Sequence, residues 1–292
     1  MPRETTRHTF VVSLVLCLVC SFLVSGAAVA LRDLQEENQT ASRRRNILMA
    51  AFPRELPDED SFAEFYNSRS VSGIAEYFRD HVESFRVDLH DGEIVETTDA
   101  DRDYDQVKAA RDPGLKPKLD LRQNPQRDLA GIKAREDVGW VHVVRDDQEG
   151  VGVETIVLPI RGYGLWSTLK GFVAIDGKAL ARGPGEAIVK GLTYYEHKET
   201  PGLGGEVDNP AWKAKWPGRR VFDAEWNVKL QVTKNPVGDF GVDALTGATI
   251  TSTGVSRMLK FWLGNDGYGK YLRKRVSGVL SAGTAGRGGA GG

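Results

Sequence analysis

From Val11 to Leu31 the chain reads VVSLVLCLVCSFLVSGAAVAL, 21 residues without a charged side chain. At about 1.5 Å per residue a helix of that length matches the roughly 30 Å hydrocarbon core of a bilayer, so the run predicts a single membrane-spanning anchor over residues 11–31. A cleavable signal sequence is the rival reading, because Ala28-Val29-Ala30 supplies a small-x-small site. Its apolar region of about 17 residues exceeds the usual about 7–15, which favours the uncleaved anchor. No other stretch reaches spanning length, and everything beyond Leu31 is expected as a soluble part on one side. The flanking charges do not fix the orientation, since Arg3 and Arg7 precede the span while Arg32 and Arg43 to Arg45 follow it.

The remaining composition excludes several function classes. Among 292 residues, 39 are basic and 40 acidic, giving a formal net charge of -1; this balance carries no electrostatic footprint of nucleic-acid binding. The only cysteines, Cys17 and Cys20, lie inside the apolar run. The soluble part therefore has no disulfide framework, and any redox chemistry there requires a bound cofactor. His197 has no ligand partner at metal spacing.

Residues 32–130 read as a helical connection, with Leu31 to Ala50 continuing the anchor as a helix, and the N-terminal part of the soluble region. Weaker helical patterns occur at Ser61 to Ser72 and Val107 to Ala110, with extended-looking VESFRVDL and GEIVET between them. The carboxylates from Asp99 to Asp105 read as a solvated charged surface. Beyond residue 130, VGWVHVVRD, VGVETIVLPIRG and LKGFVAID are strand-length and suggest a sheet. GEAIVKGLTYYEHKET is compatible with helix or strand, DNPAWKAKWPG with a short helix, and AEWNVKLQV with another strand. Val255, Met258, Leu259 and Trp262 then recur at helical spacing, marking an amphipathic helix expected to begin near Ser252. The Gly-rich end, residues 278–292, is expected to be a disordered tail.

The start of that helix lies within DALTGATITSTGV, Asp243 to Val255, which contains five hydroxyl side chains. Free backbone amides and the positive end of the helix dipole suit a phosphate, and Gly247 admits a positive φ. Hydroxyls at a helix start also serve as ordinary caps, and composition leaves both readings open. The segment is not a nucleotide-binding P-loop, since neither the Lys-Ser/Thr ending nor a G-x-G-x-x-G run is present.

Asp243, Thr246, Gly247, Ala248, Thr249, Thr251 and Ser252 resemble the D-x-x-[ST]-G-A-T-x-T-S flavinylation motif of the FMN-binding domain family. Two further blocks carry the match: GYGLWS, Gly162 to Ser167, followed by KGFVAID, and HKETPGLGGEV, His197 to Val207. Together with the anchor they make the chain similar to the family of C subunits of sodium-translocating NADH:quinone reductases, from Val11 to about Tyr271. The G subunits of the related Rnf electron-transport complex are a rival family, and a cofactor-free membrane-tethered assembly module is the alternative of a different class. The chain departs from the usual motif at Thr246, where serine is more frequent.

The resemblance implies an α+β chain: a single N-terminal transmembrane helix followed by a soluble FMN-binding domain over residues 131–277. It implies FMN attached covalently through a phosphoester to Thr249, installed from FAD by a separate flavin transferase. Asp243 is then a candidate for recognition or activation in that transfer. Thr251 and Ser252 are candidates for phosphate or helix-start contacts, Glu199 and Thr200 for hydrogen bonds to the flavin or capping of the next turn, and Leu165 and Trp166 for flanking the ring or filling the core. The implied function is a relay carrying electrons one at a time within a six-subunit bacterial inner-membrane complex that pumps sodium. Residues 1–10 would then be cytoplasmic and the flavin domain periplasmic. No catalytic residue and no metal site is expected in the chain itself, and the NADH site lies elsewhere.

Overall fold

The structure, a computed structural model, describes residues 6–56, 61–96, 104–112, 114–115, 117–146 and 153–278. The Gly-rich tail from residue 279, residues 1–5 of the N-terminus and the carboxylates from Asp99 to Asp103 lie outside the described residues. The chain divides into two compact units, Met1–Arg43 and Arg44 onward.

The first unit holds helix α1 (Thr6–Ala30) and most of the first turns of α2 (Arg32–Ala51). Helical bonding continues through Leu31, whose amide donates to the Ala27 carbonyl while its own carbonyl accepts from Gln35. Arg7–Ala30 is the only described helix long and apolar enough to cross a membrane, and its side chains are exposed.

In the second unit come α3 (Ser61–Ser68), α4 (Ile74–His81), β1 (Val82–Asp88), β2 (Ile94–Val95), α5 (Gln106–Ala109), β3 (Val138–Asp146), β4 (Val153–Tyr163), β5 (Thr168–Asp176), α6 (Gly177–Ala181), β6 (Val189–Glu196), α7 (Pro210–Lys213), β7 (Gln231–Thr233), β8 (Gly241–Asp243), α8 (Thr249–Leu263) and α9 (Gly269–Val276). Six strands form one antiparallel sheet in the order β2-β1-β3-β4-β5-β6. Its first two strands come from the 32–130 segment, so the compact unit begins well before residue 131.

Both faces of the sheet are covered, and the strand sequences follow from that. On one face Val141, Val143, Ile156, Leu158, Ile160, Leu169, Val173 and Ile175 pack with α8; on the other Val144, Val157, Phe172 and Ala174 pack with the end of α2, α3 and α4. A strand buried on both sides reads as an apolar run rather than a clean alternation. The same circumstance makes 189–196 compatible with helix or strand by pattern; it is β6, and all of it but Lys190, Tyr195 and Glu196 is buried.

Helix α8 lies along β4. Val255, Met258, Leu259 and Trp262 are completely buried. Burial of such side chains stabilises by about 1.5–3 kcal/mol each, which outweighs the helix-propensity costs of Gly254 and the β-branched Thr249, Ile250, Thr251 and Thr253, each about 1 kcal/mol or less. The indole Nε1 of Trp262 donates to the Arg161 carbonyl at 2.6 Å, and a Cβ on Gly254 would stand 2.4 Å from the Tyr163 carbonyl oxygen. Glycine there lets the helix settle against the end of β4.

Two local expectations change. The helix begins at Thr249 rather than near Ser252, because Ser252 does not cap it: its hydroxyl accepts from the Leu245 amide at 3.0 Å, and Ala248 occupies the cap position without a side-chain bond. Gly264 ends α8, and α9 is separate. Of the strand expected over 224–232 only β7 forms; the Asp223 carboxylate accepts from the Glu225 and Asn227 amides and Trp226 sits at φ 67°, a local turn that competes with extended pairing. β7 pairs in parallel with β8, and Ser256 on α8 accepts from the Val232 amide at 2.8 Å.

Candidate functional site

Strand β8 delivers the chain into the loop Ala244–Ala248, whose geometry is set by short local bonds: the Ala244 amide to the Thr233 carbonyl at 2.9 Å, Leu245 to Ser252 Oγ, and Ala248 to the Leu245 carbonyl at 3.2 Å. Gly247 takes φ 72°, a conformation that resists a larger residue, and brings the backbone onto Thr249. The Thr249 side chain is exposed. Its backbone carbonyl accepts from Thr253 Oγ1, whereas its own hydroxyl has no partner among the described residues. The amides of Thr249, Ile250 and Thr251 precede the first i→i-4 bond, which Ser252 makes to Ala248 at 3.0 Å. Three donors and an unengaged hydroxyl thus meet at the positive end of a 15-residue helix.

Beside this helix start lies the β4–β5 turn, Gly164–Ser167, closed by the Gly164 amide donating to the Ser167 carbonyl at 2.8 Å. It holds Leu165 and Trp166 outward, with Trp166 67% exposed. Leu203 and Ile250 are also exposed, and Leu203 Cδ2 would stand 2.9 Å from a Cβ on Gly247. The result is an open apolar rim around a hydroxyl and free amides. The cavity of about 520 Å³ lined by Tyr104, Leu119, Arg135 and Glu136 shares no residue with it.

Glu199 sits under this rim at 5% exposure. Its carboxylate accepts from the amides of Leu165 (3.2 Å), Trp166 (3.0 Å) and Ser167 (3.1 Å), from Ser167 Oγ (3.3 Å) and from Thr251 Oγ1 (2.8 Å). Burial alone would raise its pKa, but the Thr251 hydroxyl and the three amides prevail and hold the carboxyl below its usual range. Thr200 is exposed, and its carbonyl accepts from the Leu203 and Gly205 amides. His197 bonds Asp208 at 2.7 Å and accepts from the Glu199 amide through Nδ1; the bond to Asp208 raises its pKa.

Thr246, Gly247, Ala248, Thr249, Thr251, Leu165, Trp166, Glu199 and Thr200 are therefore brought to one end of α8. Two residues stand apart from that rim. Ser252 is buried and bonded inward. Asp243 has its carbonyl bonded by the Trp212 indole at 2.9 Å and its carboxylate paired with Lys215 at 2.8 Å. Leu203 and Ile250 do not stand out in the sequence; their only signal is a large apolar residue placed next to glycine or threonine in an otherwise polar block.

The model of the FMN-binding domain family matches residues 164–264, a span that opens at the Gly164 turn and closes at the end of α8. The C subunit of the Na(+)-translocating NADH-quinone reductase of Pseudomonas aeruginosa is 40% identical over 92% of this chain and 96% of its own length. The chain belongs to this C-subunit family. The Yersinia pestis member is 38% identical over 97% of this chain and 98% of its own. The crystal structure of Shewanella oneidensis NqrC superposes with a TM-score of 0.61 at 31% identity, covering 81% of this chain and 99% of that one. Membership fixes the architecture as one N-terminal apolar helix and an α+β FMN-binding domain. The residues present fit FMN: an unengaged hydroxyl beside free amides suits the phosphate end, and exposed Leu165, Trp166, Leu203 and Ile250 suit the faces of a planar ring.

Proposed function

We propose that Thr249 carries FMN through a phosphoester and that the chain is an electron relay of a sodium-pumping NADH:quinone reductase. The observation that carries this reading is the exposed, unbonded Thr249 hydroxyl at the amide-rich start of α8, inside the domain that matches the FMN-binding family. A threonine hydroxyl is a weak nucleophile at neutral pH, which calls for a separate flavin transferase. In the transfer, Thr249 Oγ1 bonds to the FMN-side phosphorus of FAD, the bond to the bridging oxygen breaks, AMP leaves and the hydroxyl proton passes to a base. Exposure of Thr249 makes it accessible to such an enzyme, and Asp243, six residues upstream on a partly exposed ion pair, serves recognition.

FMN, when bound, supplies one-electron chemistry. The chain's own residues do the rest. The α8 amides receive the phosphate's negative charge, Gly247 shapes the approach, and Leu165, Trp166, Leu203 and Ile250 shield the ring from water. Helix α1 anchors the chain once in the bacterial inner membrane with the flavin domain on the periplasmic side, among the other five subunits of the complex. Electrophoresis under denaturing conditions tests the linkage: a flavin-fluorescent band from cells containing the transferase, absent without it, is expected. A band that never fluoresces contradicts the reading. Protease added to spheroplasts should remove the domain, and its protection would reverse the orientation.

A further inference from the structure

We infer that Glu199 is a positioning residue that fastens the Leu165–Ser167 wall to α8 and is not itself a flavin ligand. The inference rests on the proposed attachment at Thr249. A carboxylate offers about four acceptor sites, and here they receive three amides and two hydroxyls: Leu165, Trp166 and Ser167 through their backbones, Ser167 Oγ, and Thr251 Oγ1. Nothing is left to accept from a ring nitrogen. Access is closed as well. A Cβ at Gly164 would stand 2.7 Å from Glu199 Oε1, and one at Gly204 would stand 2.7 Å from both Glu199 Oε2 and Thr251 Oγ1. Glycine on both sides makes a slot that the carboxylate fills.

The consequence is mechanical. Thr251 lies two residues beyond Thr249 on the same helix, and the turn carrying Leu165 and Trp166 reaches that helix through the Glu199 carboxylate. Three sequence blocks far apart in the chain meet at one group: the β4–β5 turn, the segment after β6 and the start of α8. Ser167 Oγ extends the fastening by accepting from the Lys198 amide at 2.8 Å. Buried hydrogen bonds to a charged acceptor are the strong ones, so the spacing between the apolar wall and the attachment point is held by this carboxylate. Its partner on the helix is a single hydroxyl, which makes that link separately removable.

The test uses the full chain in detergent, as Glu199→Gln, Thr251→Val and Thr251→Ser. In unloaded protein, amide exchange at Leu165 to Ser167 should quicken by about tenfold in Glu199→Gln, since a neutral amide oxygen accepts more weakly than a carboxylate oxygen; wild-type exchange there would overturn the clamp. In loaded protein the visible circular dichroism of the flavin should change in Glu199→Gln, change alike in Thr251→Val and return in Thr251→Ser. A change in Glu199→Gln with Thr251→Val like wild type would make Glu199 a direct ligand and overturn the inference. Wild-type Thr249 lacking FMN by peptide mass would instead sink the attachment, and with it the wall's function, whatever the exchange result.

Discussion

At its two ends α8 meets two groups of polar residues, and they differ in what their atoms are bonded to. Near Trp262 the guanidinium of Arg161 pairs with both oxygens of Glu136, donates to the Ala134 carbonyl and lies over the indole ring at 5.1 Å. Arg135 beside it bonds the Glu136 carbonyl at 2.9 Å and the Asp266 carbonyl at 2.8 Å. These charges are buried, and their bonding groups are directed at other parts of the chain. Near Thr249 the deeper groups, Glu199, Thr251 and Ser252, have their side chains bonded internally, yet the outer ones are not: the Thr249 hydroxyl and an apolar rim lie at the surface, on the exposed residues that open α8. Polar density alone does not mark a site. What sets the Thr249 end apart is an exposed hydroxyl without a partner among the described residues, above Glu199, Thr251 and Ser252, whose side chains are bonded internally.

That contrast can be broken experimentally at either end. Thr249→Ala should abolish covalent flavin completely while moving the melting temperature little, since exposed substitutions usually stay within about 0.5 kcal/mol; denaturing-gel fluorescence and calorimetry on one preparation check both. Arg161→Met should do the reverse. It strands Glu136 in the interior, costing about 3–5 kcal/mol and lowering the melting temperature by roughly 6–20 °C, while the folded fraction still takes up flavin. Loss of loading per folded molecule would show that the two ends are not separable.

Asp243→Ala removes a half-exposed pair with Lys215 worth less than about 1 kcal/mol. Flavin loading in cells should fall with stability unchanged, and normal loading would remove Asp243 from recognition. The smallest effect is in pH. Glu199 is held below the unfolded carboxyl value of about 4.3, so its contribution is present above that pH and is lost as pH falls through the lower folded value. The gap in melting temperature between wild type and Glu199→Gln should be constant from about pH 5 to 8 and narrow below about pH 4; a gap that widens on acidification would contradict the assigned sign.

Much of this molecule is readable in its sequence, for identifiable reasons. An uncharged run has one economical fate, and β3, β4 and β5 are β-branched and bounded by turns. The Asp243–Ser252 order and the two glycine-rich blocks carry the family. What does not read out depends on tertiary placement. Ser252 and Thr251 have the composition of helix caps, and only the positions of Leu245 and Glu199 turn their hydroxyls inward. Glu199 is a candidate flavin contact through the family resemblance alone; that Gly164 and Gly204 leave room for its carboxylate shows only in the folded chain. Arg161 and Glu136 are 25 residues apart, with nothing local to announce a buried pair. Trp226 interrupts an apparent strand because Asp223 offers its neighbours a competing turn.

The claim on which the account turns is the bond at Thr249. Peptide mass mapping of the protein purified under denaturing conditions from a membrane with active transferase tests it most directly. The peptide containing Thr249 should carry one FMN, with fragmentation placing it on that residue and not on Thr246, Thr251 or Ser252. An unmodified peptide from such a membrane would contradict the account and return the exposed hydroxyl to an ordinary helix start.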